Sequence, residues 1–124
     1  MKQYIRSGYP FESEYGYSRA LRVGKTIYVS GTTAREDDLE KDAYGQAESL
    51  LSIIAAALNE AGASLSDVVR TVVYVTSMKD ISLIAKAHVE AFGAAKPVST
   101  LVEVSKLTPT KAVVEFEVTA CLDD

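Results

Sequence analysis

The chain has 124 residues, of which 48% are hydrophobic and 24% charged, and its formal net charge is −4. This length predicts a single domain over residues 1–124, and the composition is that of an ordinary globular protein. The acidic balance, with lysine and arginine scattered along the chain, argues against a nucleic-acid partner, because phosphate binding needs a concentrated basic face.

The cysteine content and hydropathy favour a soluble protein. Cys121 is the only cysteine, so no internal disulfide can form, and a reducing compartment is expected. No apolar run approaches the ~18 residues that a membrane helix needs. We therefore expect a cytoplasmic protein with no membrane contact.

Three strands are predicted at the start of the chain. A short strand near residues 2–6 precedes a loop rich in tyrosine, and two further strands cover Ser18–Val23 and Thr26–Thr33. Gly24 and Lys25 between them suit a two-residue hairpin, because glycine at the first loop position accepts the positive φ of a type II′ turn. These two strands are therefore expected to pair in antiparallel order.

A long helix is predicted after a charged loop over Ala34–Lys41. Asp42 is a suitable N-cap, and apolar residues recur at helical spacing as far as about Ala61. Gly62 is placed to end the helix by adopting the left-handed conformation.

A strand and a second helix follow. Val68–Thr76 is mostly β-branched and predicts a strand that is apolar on both faces. Ser77 or Asp80 can cap a second helix that continues to about Phe92, with Gly93 ending it.

The last two predicted strands are Val98–Lys106 and Lys111–Leu122, joined through a turn that contains Pro109. A hairpin, two helices around a strand and a second hairpin predict an α+β fold. Its six-stranded mixed sheet would carry both helices on one face.

The other face of that sheet is expected to be of mixed polarity. Alternation along the last two strands places Leu101 and Val113 among Glu103, Glu115 and Glu117. Such a face is often covered by another copy of the same chain, so we expect an oligomer.

Few residues suggest chemistry, and each has a structural alternative. His88 lies on the apolar stripe of the second helix, as either a core histidine or a general acid/base. Glu115 is either part of a solvated face or a partly buried carboxyl whose raised pKa lets it hold a water. Cys121 is expected to be inert, since aspartates rather than basic residues flank it.

Two further features involve the predicted hairpin strands. Ser30 and Gly31 either permit close approach of a ligand or simply form a strand end with a bulge. Tyr17 either lies over a pocket or covers an edge of the core. No metal spacing or cofactor motif is present, so neither a metal nor a cofactor is expected.

Several segments, taken in order, resemble the RidA (YjgF/YER057c/UK114) family over about Tyr15 to Ala120. They are Tyr17–Ala20, Ile27–Gly31, Gln46 at the start of the first long helix, Leu58–Ala63, Asp67–Thr71, His88–Phe92, Pro97–Val104 and Val114–Glu117. The resemblance implies a chorismate-mutase-like α+β fold. It also implies a homotrimer whose sheets form a central barrel, with ligand sites in the clefts between subunits.

The resemblance also implies an activity. The best-known members hydrolyse reactive imines and enamines to a keto acid and ammonia. In this chain Glu115 would position the attacking water, and Tyr17 and Ser30 match pocket positions. If the protein is an enzyme, we expect His88 to move protons.

The chain departs from the family pattern at three positions near the implied site. Ser99 stands where catalytic members carry the arginine that binds the substrate carboxylate, Leu101 where cysteine is common, and Lys86 where asparagine is common. The expected ligand-binding residues are Tyr17, Ser30, Gly31, Lys86, Ser99, Thr100 and Leu101.

The missing arginine leaves two interpretations of the pocket and two of the function. Either Arg19, Arg22 or Lys86 reaches the pocket from another wall, or the pocket prefers a neutral ligand. The protein is then either a deaminase-type hydrolase or a non-catalytic trimer that binds a small molecule. A ribonuclease activity fits the acidic chain poorly.

Overall fold

The computed structural model describes residues 1–123 as one mixed sheet with two long helices. The strands and helices are β1 (Lys2–Ile5), α1 (Pro10–Tyr15), β2 (Ala20–Val23), β3 (Thr26–Thr32), α2 (Ala43–Glu60), β4 (Val68–Val75), α3 (Ile81–Phe92), β5 (Val98–Glu103) and β6 (Val114–Cys121). Short 3₁₀ turns cover Glu36–Glu40, Leu65–Asp67 and Met78–Asp80. The predicted α+β architecture is confirmed.

The six strands lie in the order β1-β2-β3-β6-β4-β5. Neighbouring strands pair antiparallel, except that β4 and β5 are parallel. The predicted hairpin between β2 and β3 is present, and Gly24 has the positive φ of 62° that its turn requires.

Helix α2 begins and ends as the sequence predicts. The Asp42 carboxylate accepts the backbone N–H of Gly45 at 2.9 Å. Gly62 adopts a φ of +90°, and the backbone N–H of Ala63 reaches back to the carbonyl of Leu58 at 2.8 Å. Left-handed glycine with this bond satisfies carbonyls that the helix end leaves free.

Both long helices cover one face of the sheet, and the hydrophobic core lies between the helices and that face. Alternate residues of β6 are fully buried there, against side chains from α2 and α3. The core includes Leu50, Ile54, Leu58, Ile84, Phe92, Val114, Phe116 and Val118.

The predicted second hairpin is wrong, because β4 lies between β5 and β6. The parallel β4–β5 pairing sets Leu101 opposite the buried Val73. Leu101 therefore faces the helices rather than Glu115, and Thr100 and Val102 occupy the other face. Alternation identifies which residues share a face but not which face adjoins the core.

The aromatic loop predicted after β1 contains a helix. Pro10 occupies the first turn of α1, where its fixed φ is compatible with a helix and no N–H is needed. Gly16 ends this helix with a φ of +84°.

The face of the sheet away from α2 and α3, here called the open face, carries several exposed apolar side chains. Tyr4, Tyr28, Val98 and Val102 are 61, 53, 69 and 38% exposed, respectively. Glu115 and Glu117 project from the same face. No helix within residues 1–123 combines the length and apolar character needed to cross a membrane.

Candidate functional site

A cavity of about 660 Å³, here called the β3–β6 cavity, lies where β3 ends and β6 begins. Its lining is Tyr9, Phe11, Tyr15, Tyr17, Arg19, Ser30, Gly31, Thr33, Arg35, Lys106, Leu107, Thr108, Thr110 and Glu115. The structure thus brings together five of the residues singled out in the sequence: Tyr17, Arg19, Ser30, Gly31 and Glu115.

Helix α1 builds the aromatic wall of this cavity. The rings of Phe11 and Tyr15 stack with their centroids 5.4 Å apart. Tyr17 packs edge-on against both, at 6.1 and 6.0 Å. Such a wall suits a ligand with a flat or apolar part.

Glu115 lies against the backbone of Gly31. A Cβ atom at Gly31 would come within 2.7 Å of Glu115 Oε2, so only glycine leaves room for the carboxylate there. Gly31 lies within the irregular register between Val29 and Thr32, where β3 departs from regular pairing with β6. The small residue therefore accommodates the Glu115 side chain in the cavity wall.

The Glu115 carboxyl is half-buried, and its pKa is raised above the usual 4.5. Burial is the main cause and the nearby Glu117 adds to it, whereas the charges of Arg19 and Arg35 oppose it. Within residues 1–123 no hydrogen bond engages its carboxylate. A carboxyl in this state can accept a proton from water and return it.

Arg19 is a structural residue of the cavity wall. It is 1% exposed, and its Nε lies 3.1 Å from Glu12 Oε2 in a buried ion pair. Its Nη1 donates to the Gly31 carbonyl at 2.7 Å and to Thr32 Oγ1 at 3.0 Å, and its Nη2 donates to the Tyr17 hydroxyl at 2.8 Å. Arg19 thereby fixes the strand end and Tyr17, and Glu12 balances its charge.

Arg35, which the sequence analysis did not single out, also lines the cavity. Its guanidinium carbon lies 3.6 Å from the centre of the Tyr9 ring. Its Nη1 donates to the carbonyl and hydroxyl oxygens of Thr33, at 2.8 and 3.2 Å. The sequence signal for Arg35 was its position three residues after the end of β3, in a segment rich in hydroxyl groups.

His88 and Ser99 belong to a second group, here called the Ser99 cluster, which also contains Thr71. Thr71 Oγ1 donates to Ser99 Oγ at 2.7 Å and lies 2.9 Å from His88 Nε2. Since the Thr71 proton is used toward Ser99, His88 Nε2 must carry the hydrogen that reaches Thr71. The Ser99 hydroxyl proton remains available to a ligand.

The His88 ring is half-buried against Phe92 and Phe116, with centroid distances of 4.9 and 5.9 Å. Burial lowers its pKa below 6.5, so the imidazole is neutral at pH 7. No residue of the Ser99 cluster lines the β3–β6 cavity.

The remaining residues singled out in the sequence lie outside the cavity. Lys86 Nζ lies 4.7 Å from the centre of the Tyr44 ring, between α3 and α2. Thr100 is exposed on the open face, and Leu101 packs on the core. Arg22 donates to the carbonyls of Gly24 and Ala61. Neither Lys86 nor Arg22 lines the cavity.

Metal ligands are not grouped in the part of the chain that the structure describes. Across residues 1–123, no set of three or more histidine, cysteine, aspartate or glutamate side chains is arranged to hold a metal ion.

Comparison with known proteins identifies the family. The family model described as Endoribonuclease L-PSP matches residues 10–122. A RutC family protein of Pyrococcus abyssi is 36% identical over 108 residues, which cover 84% of each chain. A protein of Dermatophagoides farinae named 2-iminobutanoate/2-iminopropanoate deaminase is 30% identical over 105 residues, covering 82% of this chain and 81% of that protein.

Solved structures agree with this assignment. The crystal structure of a YjgF/YER057c/UK114 family member from Mycobacterium tuberculosis superposes with a TM-score of 0.90 at 40% sequence identity. The match covers 98% of this chain and all of that one. The extent of the family match and this structural agreement lead to one conclusion: the chain belongs to the RidA, or YjgF/YER057c/UK114, family.

Proposed function

We propose that the protein is a homotrimer that binds a small metabolite in clefts between its subunits and hydrolyses reactive imines or enamines there. The observation that carries the proposal is Glu115, a half-buried carboxyl with a raised pKa that lines an aromatic-walled cavity. The deaminase name of the Dermatophagoides farinae relative supports the same chemistry.

The proposed reaction needs one carboxyl that takes up and returns a proton twice. Water adds to the imine carbon and gives a proton to the Glu115 carboxylate as the new C–O bond forms; the glutamic acid returns this proton to the nitrogen, which has received the C=N π electrons, and a carbinolamine results. The carboxylate then moves the hydroxyl proton of the carbinolamine to the nitrogen, the oxygen electrons form the C=O bond, the C–N bond breaks, and ammonia leaves. A raised pKa favours the transfer of a proton from water, because it makes the Glu115 carboxylate a stronger base than an exposed glutamate.

Surfaces that a single subunit leaves uncovered support the proposed trimer. Family members are generally oligomeric, and the open face exposes Tyr4, Tyr28, Val98 and Val102. Three such faces packed together would bury these side chains. In this assembly the Ser99 cluster of one subunit would face the β3–β6 cavity of its neighbour, so the site would be complete only between two subunits.

The Ser99 cluster would then supply a neutral end of the site. The Ser99 hydroxyl can donate to a ligand oxygen or nitrogen, with Thr71 and the neutral His88 behind it. We propose that His88 orients this hydrogen-bond chain and exchanges protons through it.

Turnover of freshly generated 2-iminobutanoate tests the proposal, measured as ammonia release above the spontaneous rate. Glu115→Gln should abolish turnover and leave the assembly intact. The matched control is Glu14→Gln, because Glu14 is an exposed carboxylate that does not line the cavity. Full turnover by Glu115→Gln would refute the catalytic role.

The second candidate function is a trimer that binds a small molecule without turning it over. Ser99 at the position of the family arginine favours it, because a hydroxyl cannot neutralise a carboxylate. An unmodified chain that binds ligand but leaves the imine to hydrolyse at its spontaneous rate would establish this alternative. Gain of turnover in Ser99→Arg would then identify the missing guanidinium as the cause.

A further inference from the structure

We infer that Arg35 is the anion anchor of the β3–β6 cavity and selects a ligand with a planar carboxylate. This inference rests on the proposed function for the location of the ligand, but not for the chemistry performed on it. It places the anchoring guanidinium on the same subunit as Glu115, in the segment after β3, rather than on β5.

The first argument is an unused hydrogen-bond donor. Among buried side-chain nitrogen and oxygen atoms of residues 1–123, Nη2 of Arg35 is the one without a hydrogen-bond partner. A buried donor without a partner carries a large desolvation penalty. A ligand oxygen that reaches Nη2 would replace that penalty with a charge-assisted hydrogen bond.

The second argument is an unbalanced charge. Arg19 lines the same cavity, but its charge is balanced by Glu12 in the buried ion pair. No carboxylate within residues 1–123 forms an ion pair with Arg35. Arg35 and Lys106 therefore face a single carboxyl, Glu115, whose pKa is raised. This leaves a positive cavity on a protein with a net charge of −4, and such a cavity concentrates small anions.

The third argument is that the Arg35 guanidinium is already held in place before a ligand binds. The guanidinium stacks 3.6 Å above the centre of the Tyr9 ring, and Thr33 holds Nη1 through two acceptors. A stacked and tethered guanidinium loses little further freedom when it binds, and its planar fork matches a carboxylate. A small 2-oxo or 2-imino acid is flat, so its carboxylate would meet Arg35 while the adjacent carbon approaches Glu115.

The test compares two ligands of nearly equal shape and different charge. Isothermal titration calorimetry measures the binding of pyruvate and of its neutral amide, pyruvamide, to the unmodified chain, Arg35→Gln, Arg35→Lys and Arg6→Gln. Arg6 is an exposed arginine that does not line the cavity, so its variant controls for net charge.

The unmodified chain and Arg6→Gln should bind pyruvate about 10- to 100-fold more tightly than pyruvamide, the ratio expected for one charged hydrogen-bond pair. Arg35→Gln should lose this preference. Arg35→Lys should retain only part of it, because an ammonium lacks the planar fork, and this variant serves if Arg35→Gln does not fold. Equal binding of both ligands by the unmodified chain, or an unchanged preference in Arg35→Gln, would overturn the inference.

The experiments give different results if the proposed function is wrong and if the Arg35 inference is wrong. If Arg35 anchors carboxylates but the protein is not a deaminase, the pyruvate preference will depend on Arg35 while no imine is turned over. If the protein is a deaminase that uses another anchor, Glu115→Gln will abolish turnover while Arg35→Gln keeps the pyruvate preference.

Discussion

The buried ion pair between Glu12 and Arg19 should be a principal support of both the fold and the cavity wall. Replacing Glu12 by alanine removes the carboxylate and leaves a guanidinium that is 1% exposed without its counter-charge. Removing one partner of a buried pair costs about 3–5 kcal/mol. The better helix propensity of alanine within α1 offsets about 0.5 kcal/mol of this loss at most.

The expected loss is therefore a large fraction of the ~5–15 kcal/mol that stabilises a typical domain. It corresponds to a fall of about 10–20 °C in unfolding temperature for a chain of this size. Urea denaturation and thermal unfolding at a fixed protein concentration measure it. Glu14→Ala, an exposed acid on the same helix, is the control and should change stability by less than about 0.5 kcal/mol.

The same pair predicts a pH dependence. Burial alone would raise the pKa of Glu12, but hydrogen bonds from Ser7 and Arg19, with the charge of Arg19, outweigh burial and lower it below 4.5. A lowered folded-state pKa adds stability above pH 4.5 that is lost as the pH falls through the folded-state value. The stability gap between the unmodified chain and Glu12→Ala should therefore shrink below pH 4.5. A gap under about 1 kcal/mol at pH 7, or one that widens in acid, would refute this reasoning.

Two further substitutions test the site wall and the open face. Gly31→Ala should displace the flexible end of the Glu115 side chain, because the new Cβ would lie 2.7 Å from Glu115 Oε2. Turnover should therefore fall toward that of Glu115→Gln. The free energy of unfolding should change by less than about 1 kcal/mol. Undiminished turnover would contradict this placement of Glu115. If the proposed trimer forms through the open face, Val102→Lys should give folded monomers by analytical ultracentrifugation, because the lysine charge would otherwise be buried between subunits. Val89→Lys, at a valine 67% exposed on α3, should leave assembly unchanged, and a trimer that survives Val102→Lys would argue against the open-face interface.

Much of the fold was predictable because local signals agreed with tertiary packing. Asp42 and Gly62 mark the ends of α2 through capping chemistry that needs no knowledge of neighbours. The β5–β6 connection was mispredicted because strand pairing is a long-range property. Proximity in sequence favours a hairpin, but the parallel pairing of β5 with β4 inserts β4 between the two strands.

The candidate site was predictable only in part. Glu115 and Gly31 were singled out separately, but the contact between them depends on the irregular register of β3, which sequence alternation does not reveal. Arg35 was overlooked because an arginine in a charged loop is usually solvated. Only the packing of Tyr9 and Thr33 around its guanidinium distinguishes it.

The central position of β6 has a consequence for how the protein acquires its fold. β6 is the last of the six strands along the chain, yet it joins the β1-β2-β3 half of the sheet to the β4-β5 half. Until it docks, each half presents an unsatisfied edge to any other extended polypeptide. Closure of the sheet must wait for pairings between residues far apart in sequence, so the search for β6 should limit the rate of folding and leave the half-formed sheet prone to aggregation.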